Sequence, residues 1–177
     1  MSTADPLALA GEYLLSARHG RDAAAVEARL ARLDERDLSW ALVDDDARKA
    51  FWIDLYNGAV LRHDIAAAGG PLGRLRYFRA PVVTVAGRRL SLDAIEHGLL
   101  RRSRWRLGLG YAGNPLPSRF ERAQRVARID PRVHFALNCG VASCPPIATY
   151  EAGHIERQLE QAAGNYLRTE SRRTEDG

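Results

Sequence analysis

The chain has 177 residues, 46% hydrophobic and 27% charged, which suits one folded domain able to bury a core without disulfide staples or a structural metal. No apolar run approaches the roughly 18 residues that a membrane helix needs, so a membrane span is excluded. The formal charge of +4 would suit nucleic acid if it were clustered, but Lys49 is the only lysine and the arginines are scattered; the densest group, Arg101, Arg102, Arg104 and Arg106, is interleaved with one aromatic, Trp105, so a solvated face is expected and nucleic-acid binding is not.

The opening stretch, MSTADPLALAGEYLLSARHG, lacks a basic start ahead of an apolar run, so the chain as written is expected to stay in the cytoplasm; a true start further upstream would allow export. Residues 7–18 and 23–33 carry apolar positions at helical spacing and predict two helices packed as a hairpin. After DLSWALVDDDARK, the segment AFWIDLYNGAVLRH predicts a helix of about four turns, with acidic residues near its start and a histidine at its end, as the helix dipole favours. It is apolar nearly all round, through Phe51, Trp52, Ile53, Leu55, Tyr56, Ala59, Val60 and Leu61, the signature of a central buried helix. Asn57 is the polar exception. A buried amide must find partners, so Asn57 either ties down a neighbouring loop, the preferred reading, or points into a site.

Residues 69–73 break the chain. PVVTVAGRRLSLDAIEHGLLR then predicts a strand, an Ala-Gly turn, a short strand and a helix with Ser91 as N-cap and Leu92, Ile95 and Leu99 as its buried stripe. Asp93, Glu96 and His97 fall on the other side. Residues 101–128 read as a long connection with one helix near 118–125. From Pro131, RVHFALN predicts a strand whose period of two sends Val133, Phe135 and Leu137 to one face and His134, Ala136 and Asn138 to the other. A last helix is expected over 150–167, before the polar ending SRRTEDG. No internal repeat is present. The pattern predicts a single α/β domain of the α+β type: a helical region over residues 1–45, a core over 46–168 whose small sheet carries the Cys/His segment, and a disordered tail over 169–177.

Two cysteines, Cys139 and Cys144, are too few for a secreted disulfide framework, and zinc would have to recruit histidines from elsewhere. No metal or organic cofactor is expected, for the chain has no phosphate loop, dinucleotide fingerprint or metal-spaced ligand set. Cys144 precedes Pro145 and Pro146. Proline favours the first helical position, so a short turn starting there would put the thiol at a positive helix end and lower its pKa. Small residues from Gly140 to Ser143 would let backbone approach a substrate. A base must come from a histidine. His134 and His154 are equally near in sequence, but an extended strand would carry His134 away; His97, with Glu96 beside it and Asp93 one turn earlier, is the other candidate. Cys139 reads more readily as a core residue. A Cys139–Cys144 disulfide across a turn is feasible, and in a reducing cytoplasm it would be transient or regulatory. His19, His63 and His154 read as helix-terminal or surface residues.

The segments AFWIDLYNGAVL, RRLSLDAIEHGLLR and DPRVHFALNCGVASCPPI resemble the three signature blocks of the family called domain of unknown function 547, over residues 49–167. The resemblance implies relatives in bacteria, often exported, and in plants, where the domain is joined to glutaredoxin-like or leucine-zipper segments. That company is compatible with thiol or glutathione-related chemistry and with a protein-interaction role. The family pattern points to Asn57, Glu96, His97, His134, Cys139 and Cys144. It also implies a further segment after the final helix; if that segment closes the site, a chain ending in SRRTEDG is inactive.

The leading expectation is a cysteine-dependent hydrolase or transferase acting on an amide or thioester in a small-molecule or peptide substrate. Cys144 is its nucleophile, His134 or His97 its base, Glu96 the orienting carboxylate, and Asn57 a supporting or oxyanion donor. The rival is a non-catalytic protein-interaction or scaffold domain whose cysteines and histidines belong to the core. Thiol redox exchange and a metal site using both cysteines with a histidine are the remaining readings.

Overall fold

The computed structural model describes residues 5–63, 69–104, 114–138 and 147–175. Helix α1 (Pro6–Arg18) begins where Asp5 accepts the Leu7 N–H at 3.0 Å and a proline occupies the first turn, both favoured at a helix start. Helix α2 (Ala24–Ala31) packs back on α1 as the expected hairpin. Helix α3 (Glu35–Ala41), capped by Asp34 through the Arg36 N–H at 2.7 Å, occupies a stretch where periodicity predicts no element. Its seven residues bury Leu38 alone, leaving no repeating stripe to read.

Helix α4 (Asp45–Arg62) is the spine of the molecule. Asp44 caps it through the Ala47 N–H at 2.8 Å, Asp45 and Asp46 stand in its first turn and Arg62 in its last, so both ends complement the helix dipole. From Ala47 to Val60 nearly every residue is buried, as expected of a helix apolar on all sides. Helix α1 lies directly on it. At Gly58 a Cβ would stand 2.6 Å from Tyr13 Cδ1 and 3.3 Å from the Leu14 Cα, so this contact requires glycine. Trp52 donates its Nε1–H to the Gln124 carbonyl at 3.1 Å, drawing the later part of the chain onto the same helix.

Helix α5 (Gly70–Arg79) occupies the expected break. It starts at Gly69–Pro71 and contains no fully buried residue, so it shows no apolar face in the sequence. Strands β1 (Pro81–Val85) and β2 (Arg88–Ser91) form the predicted antiparallel hairpin, with Val85 opposite Arg88. Ala86 and Gly87, at φ 48° and 72°, make the two-residue turn with both dihedrals positive that matches strand twist. Their N–H groups donate to the Leu30 and Ala31 carbonyls at 3.0 and 2.9 Å. The turn therefore satisfies the open end of α2, which offsets the strain of an alanine at positive φ.

The predicted helix after β2 exists, with Ser91 Oγ accepting the Ala94 N–H at 3.1 Å and Leu92, Ile95 and Leu99 buried. Its winding differs, since Ala94–Leu100 is a π-helix. Arg101 N donates to the Glu96 carbonyl and Ser103 N to that of Gly98, both at 2.8 Å and both five residues back. Helix α6 (Arg119–Gln124) lies where one helix was expected, and Ser118 caps it.

The predicted strand from Pro131 is a correction. Residues Val133–Ala136 form a single helical turn, α7, so the Cys/His segment does not continue a sheet; among the described residues the sheet is the β1–β2 hairpin. Asp130 Oδ1 accepts the Arg132 N–H at 3.0 Å and the Asp130 carbonyl accepts the Val133 N–H at 3.2 Å. Asp-Pro thus starts the turn that leads into the helix. Val133, Ala136 and Leu137 are buried and His134 is exposed, a spacing of three and four that an alternating pattern hides. A 3-10 turn (Ala152–His154) leads into helix α8 (Ile155–Glu175), which continues through most of the expected tail.

Candidate functional site

Asn57 is fully buried on α4. Its Nδ2 donates to the Ala136 carbonyl at 3.0 Å and its Oδ1 accepts the Asn138 N–H at 2.9 Å. The amide therefore binds backbone on both sides of Leu137, immediately before Cys139. Of the two roles weighed for Asn57, this is the tie.

One turn earlier on the same face of α4 stands Asp54, which the sequence reading did not single out. Its Oδ1 accepts the Tyr150 N–H at 2.9 Å. Asn57 and Asp54 together hold the chain on both sides of the segment that carries the cysteines. A carboxylic acid at the centre of an apolar helix, three residues before the asparagine, was the available signal. Burial pushes the Asp54 pKa up to about 8, helped by the negative charge of Glu151 and opposed by the Tyr150 N–H. Burial, with the neighbouring Asp54, pushes the Tyr150 phenol up to about 12.

Two further groups on α4 fasten the approach to this segment. Asp45 accepts the Ala127 and Arg128 N–H groups at 2.7 and 2.8 Å. Lys49 Nζ lies 2.9 Å from both Asp46 and Glu156 and 3.8 Å from Asp130, and Arg132 bridges Asp130 and Glu156 at 2.7 and 2.6 Å. Burial disfavours the Lys49 charge, but its hydrogen bonds to Asp46 and Glu156 prevail and its pKa is raised. The Arg132 hydrogen bonds hold both Asp130 and Glu156 below the usual carboxylate range, with Lys49 assisting.

Cys139 and Cys144 lie outside the described residues. A cleft of about 230 Å³ is lined by Phe135 and Ala136 on one side of their segment, by Ala148 and Tyr150 on the other, and by Gln158 and Asn165 of α8. His134 is exposed on α7, its ring 5.8 Å from that of Phe135. Glu96 and His97 sit on the π-helix, where the Arg101 guanidinium reaches both: Nη1 is 3.6 Å from Glu96 Oε1 and 3.5 Å from His97 Nδ1. Asp93, the other candidate to orient His97, forms an ion pair with Arg79 at 3.7 Å. Sequence could not show that Arg101 joins the neighbouring Glu96 and His97, because the winding that sets their spacing leaves no mark in it. Among the described residues no three His, Cys, Asp or Glu groups converge to hold a metal ion, and no helix is long and apolar enough to cross a membrane.

Fold and site define a mostly helical α+β domain in which one buried helix uses polar side chains to hold the chain around a cysteine-bearing segment. The chain belongs to the family described as Protein of unknown function, DUF547, whose model matches residues 41–167. The match runs from the end of α3 into α8 and includes all three signature blocks. Searches among curated proteins and among solved structures found no match.

Proposed function

We propose that the protein is a cysteine-dependent hydrolase or transferase acting on an amide or thioester, with Cys144 as the nucleophile. The observation that carries this reading is the pair of buried groups on α4, Asn57 and Asp54, which bind backbone at residues 136, 138 and 150. Two buried polar side chains fixing both sides of a short segment favour a preorganised one, as a reacting group needs. In the proposed reaction the Cys144 thiol gives its proton to an imidazole and its sulfur attacks the acyl carbon. The leaving amine or thiol departs with that proton, and water or an acceptor then attacks the thioester and releases the enzyme thiol.

The helical turn of α7 supports His134 as the base, because the objection from sequence was that an extended strand would carry it away. His97, with Glu96 and Arg101, is the alternative base. Asn57 acts as a positioning residue, since both its polar atoms hold backbone. A non-catalytic interaction domain draws its support from Trp40, 81% exposed, with Val43 exposed nearby in sequence.

Iodoacetamide labelling of the native protein across pH, with Cys139→Ser and Cys144→Ser variants, tests the proposal. Fast labelling lost only in Cys144→Ser, with an apparent pKa well below the unperturbed value of about 8.5, is the expected result. Labelling that waits for denaturant would overturn it in favour of the interaction domain.

A further inference from the structure

A cavity of about 580 Å³ lies between α1 and residues 149–152 and does not depend on the cysteine reading. Its size is that of a small-molecule site. Asp54, only 3% exposed, contributes to its wall. Oδ1 is occupied by the Tyr150 N–H. Oδ2 faces Gly11, another wall residue, where a Cβ would stand 4.0 Å from it. Among the described residues no cation pairs with Asp54, and no hydrogen bond reaches Oδ2. An asparagine would serve Tyr150 equally well, so the second oxygen and the capacity for charge have no internal use. Oδ2 is not fully enclosed, so it can be reached from the cavity, and a cation docked there would pair with the carboxylate form.

The other charged wall residues are mostly acidic, and the Tyr150 phenol, pushed up to about 12 by burial, stays neutral. From α1 and its cap come Glu12 and Asp5, and from the segment before α8 comes Glu151; Arg21 is the single basic residue among them. Each acid is partly engaged, Asp5 with the Leu7 N–H, Glu12 with Arg29 and Glu151 with His154. These acids supply a negative rim, and Asp54 supplies the buried end. Leu7 and Leu15 give the wall an apolar part. The donors do not converge as a metal site requires, which favours an organic cation with a short hydrocarbon stem.

We infer that this cavity is a binding site for an alkylammonium group, whose nitrogen docks on Asp54 Oδ2 beside Gly11. A free amine and a lysine side chain share this chemistry. Because Asp54 holds its proton near neutrality in the free protein, and an adjacent cation favours its ionised form, binding at pH 7 releases a proton. Affinity therefore rises with pH until the free carboxyl has ionised.

Calorimetric titration with n-butylamine, cadaverine and Nα-acetyl-lysine amide, in two buffers of different ionisation enthalpy, provides the test, with 1-butanol as the neutral control. The amines are expected to bind with proton release, and 1-butanol is not. The tighter of the free amines and the lysine derivative identifies the source. Asp54→Asn should weaken binding by about tenfold or more, the value of a charged hydrogen bond, and abolish proton release. Gly11→Leu blocks Oδ2 while improving helix propensity, and should also prevent binding in a folded protein. Absence of binding by every amine, equal binding of 1-butanol, or unchanged affinity in either folded variant would overturn the inference.

Discussion

Asn57 and Asp54 show what a single buried polar side chain can do. Replacing Asn57 with alanine removes its hydrogen bonds to the Ala136 carbonyl and the Asn138 N–H. The buried Ala136 carbonyl alone costs about 1–3 kcal/mol when left unmatched, so a loss of about 2 kcal/mol is expected in urea unfolding, with faster hydrogen exchange at Asn138. For Asp54 the informative variable is pH. Its pKa is raised from 3.8 to about 8 on folding, so between these values the folded state holds a proton that the unfolded state has lost. Stability then falls as pH rises, by up to about 1.4 kcal/mol per pH unit, and levels off above the folded pKa. Asp54→Asn keeps an acceptor for Tyr150 and should remove this slope; denaturant midpoints at pH 5 and pH 8.5 compare the two proteins directly.

At the scale of elements, the crossing of α1 and α4 depends on Gly58. An alanine in mid-helix normally gains about 1 kcal/mol over glycine. Here the added methyl would meet an aromatic ring at 2.6 Å and backbone at 3.3 Å, and overpacking costs about 1–3 kcal/mol. The clash should win, because neither a packed tyrosine nor a helix backbone yields easily. Gly58→Ala is expected to lower the thermal midpoint, and Gly58→Ala with Tyr13→Ala to recover little of it, since the truncation leaves its own cavity. The same scale explains the misread turn at α7. Val133, Phe135 and Leu137 fit a strand, but Val133, Ala136 and Leu137 fit a helix equally well. Asp130 and Pro131 decide between them by starting a turn, in which Asp130 accepts the Arg132 and Val133 N–H groups.

Across the whole molecule, two sets of carboxyls oppose each other in their pH dependence. Asp130 and Glu156 have pKa values lowered by Arg132 and Lys49, so their contribution is present above the usual carboxylate range and is lost as pH falls through the lowered values. Asp54 acts in the other direction above pH 4. Their sum places the stability maximum within the ordinary carboxylate range, at about pH 4.5. Lys49→Met should make the acid limb shallower while leaving the alkaline decline in place, because Lys49 touches the first set and not Asp54. Both pairs are partly exposed, Glu156 above all, so salt should weaken this limb as well.

The sequence by itself determined the central helix, the Ala-Gly hairpin, the helix begun at Ser91, a helix near 118–125 and the final helix, because each is written in local terms: periodicity, turn chemistry and end caps. It also carried the three blocks that mark the family. Tertiary structure decided the rest. Helices α3 and α5 bury too little to leave a stripe, and the π-winding that places Glu96 and His97 on one arginine has no local code. Asn57 was legible as a buried amide with two possible uses, yet its choice of Ala136 and Asn138 required the approach of residues about 80 positions away. Asp54 passed unmarked because an acid in a helix is ordinary on a surface. Its significance comes from burial, which exists only once α1 and residues 149–152 have closed around it.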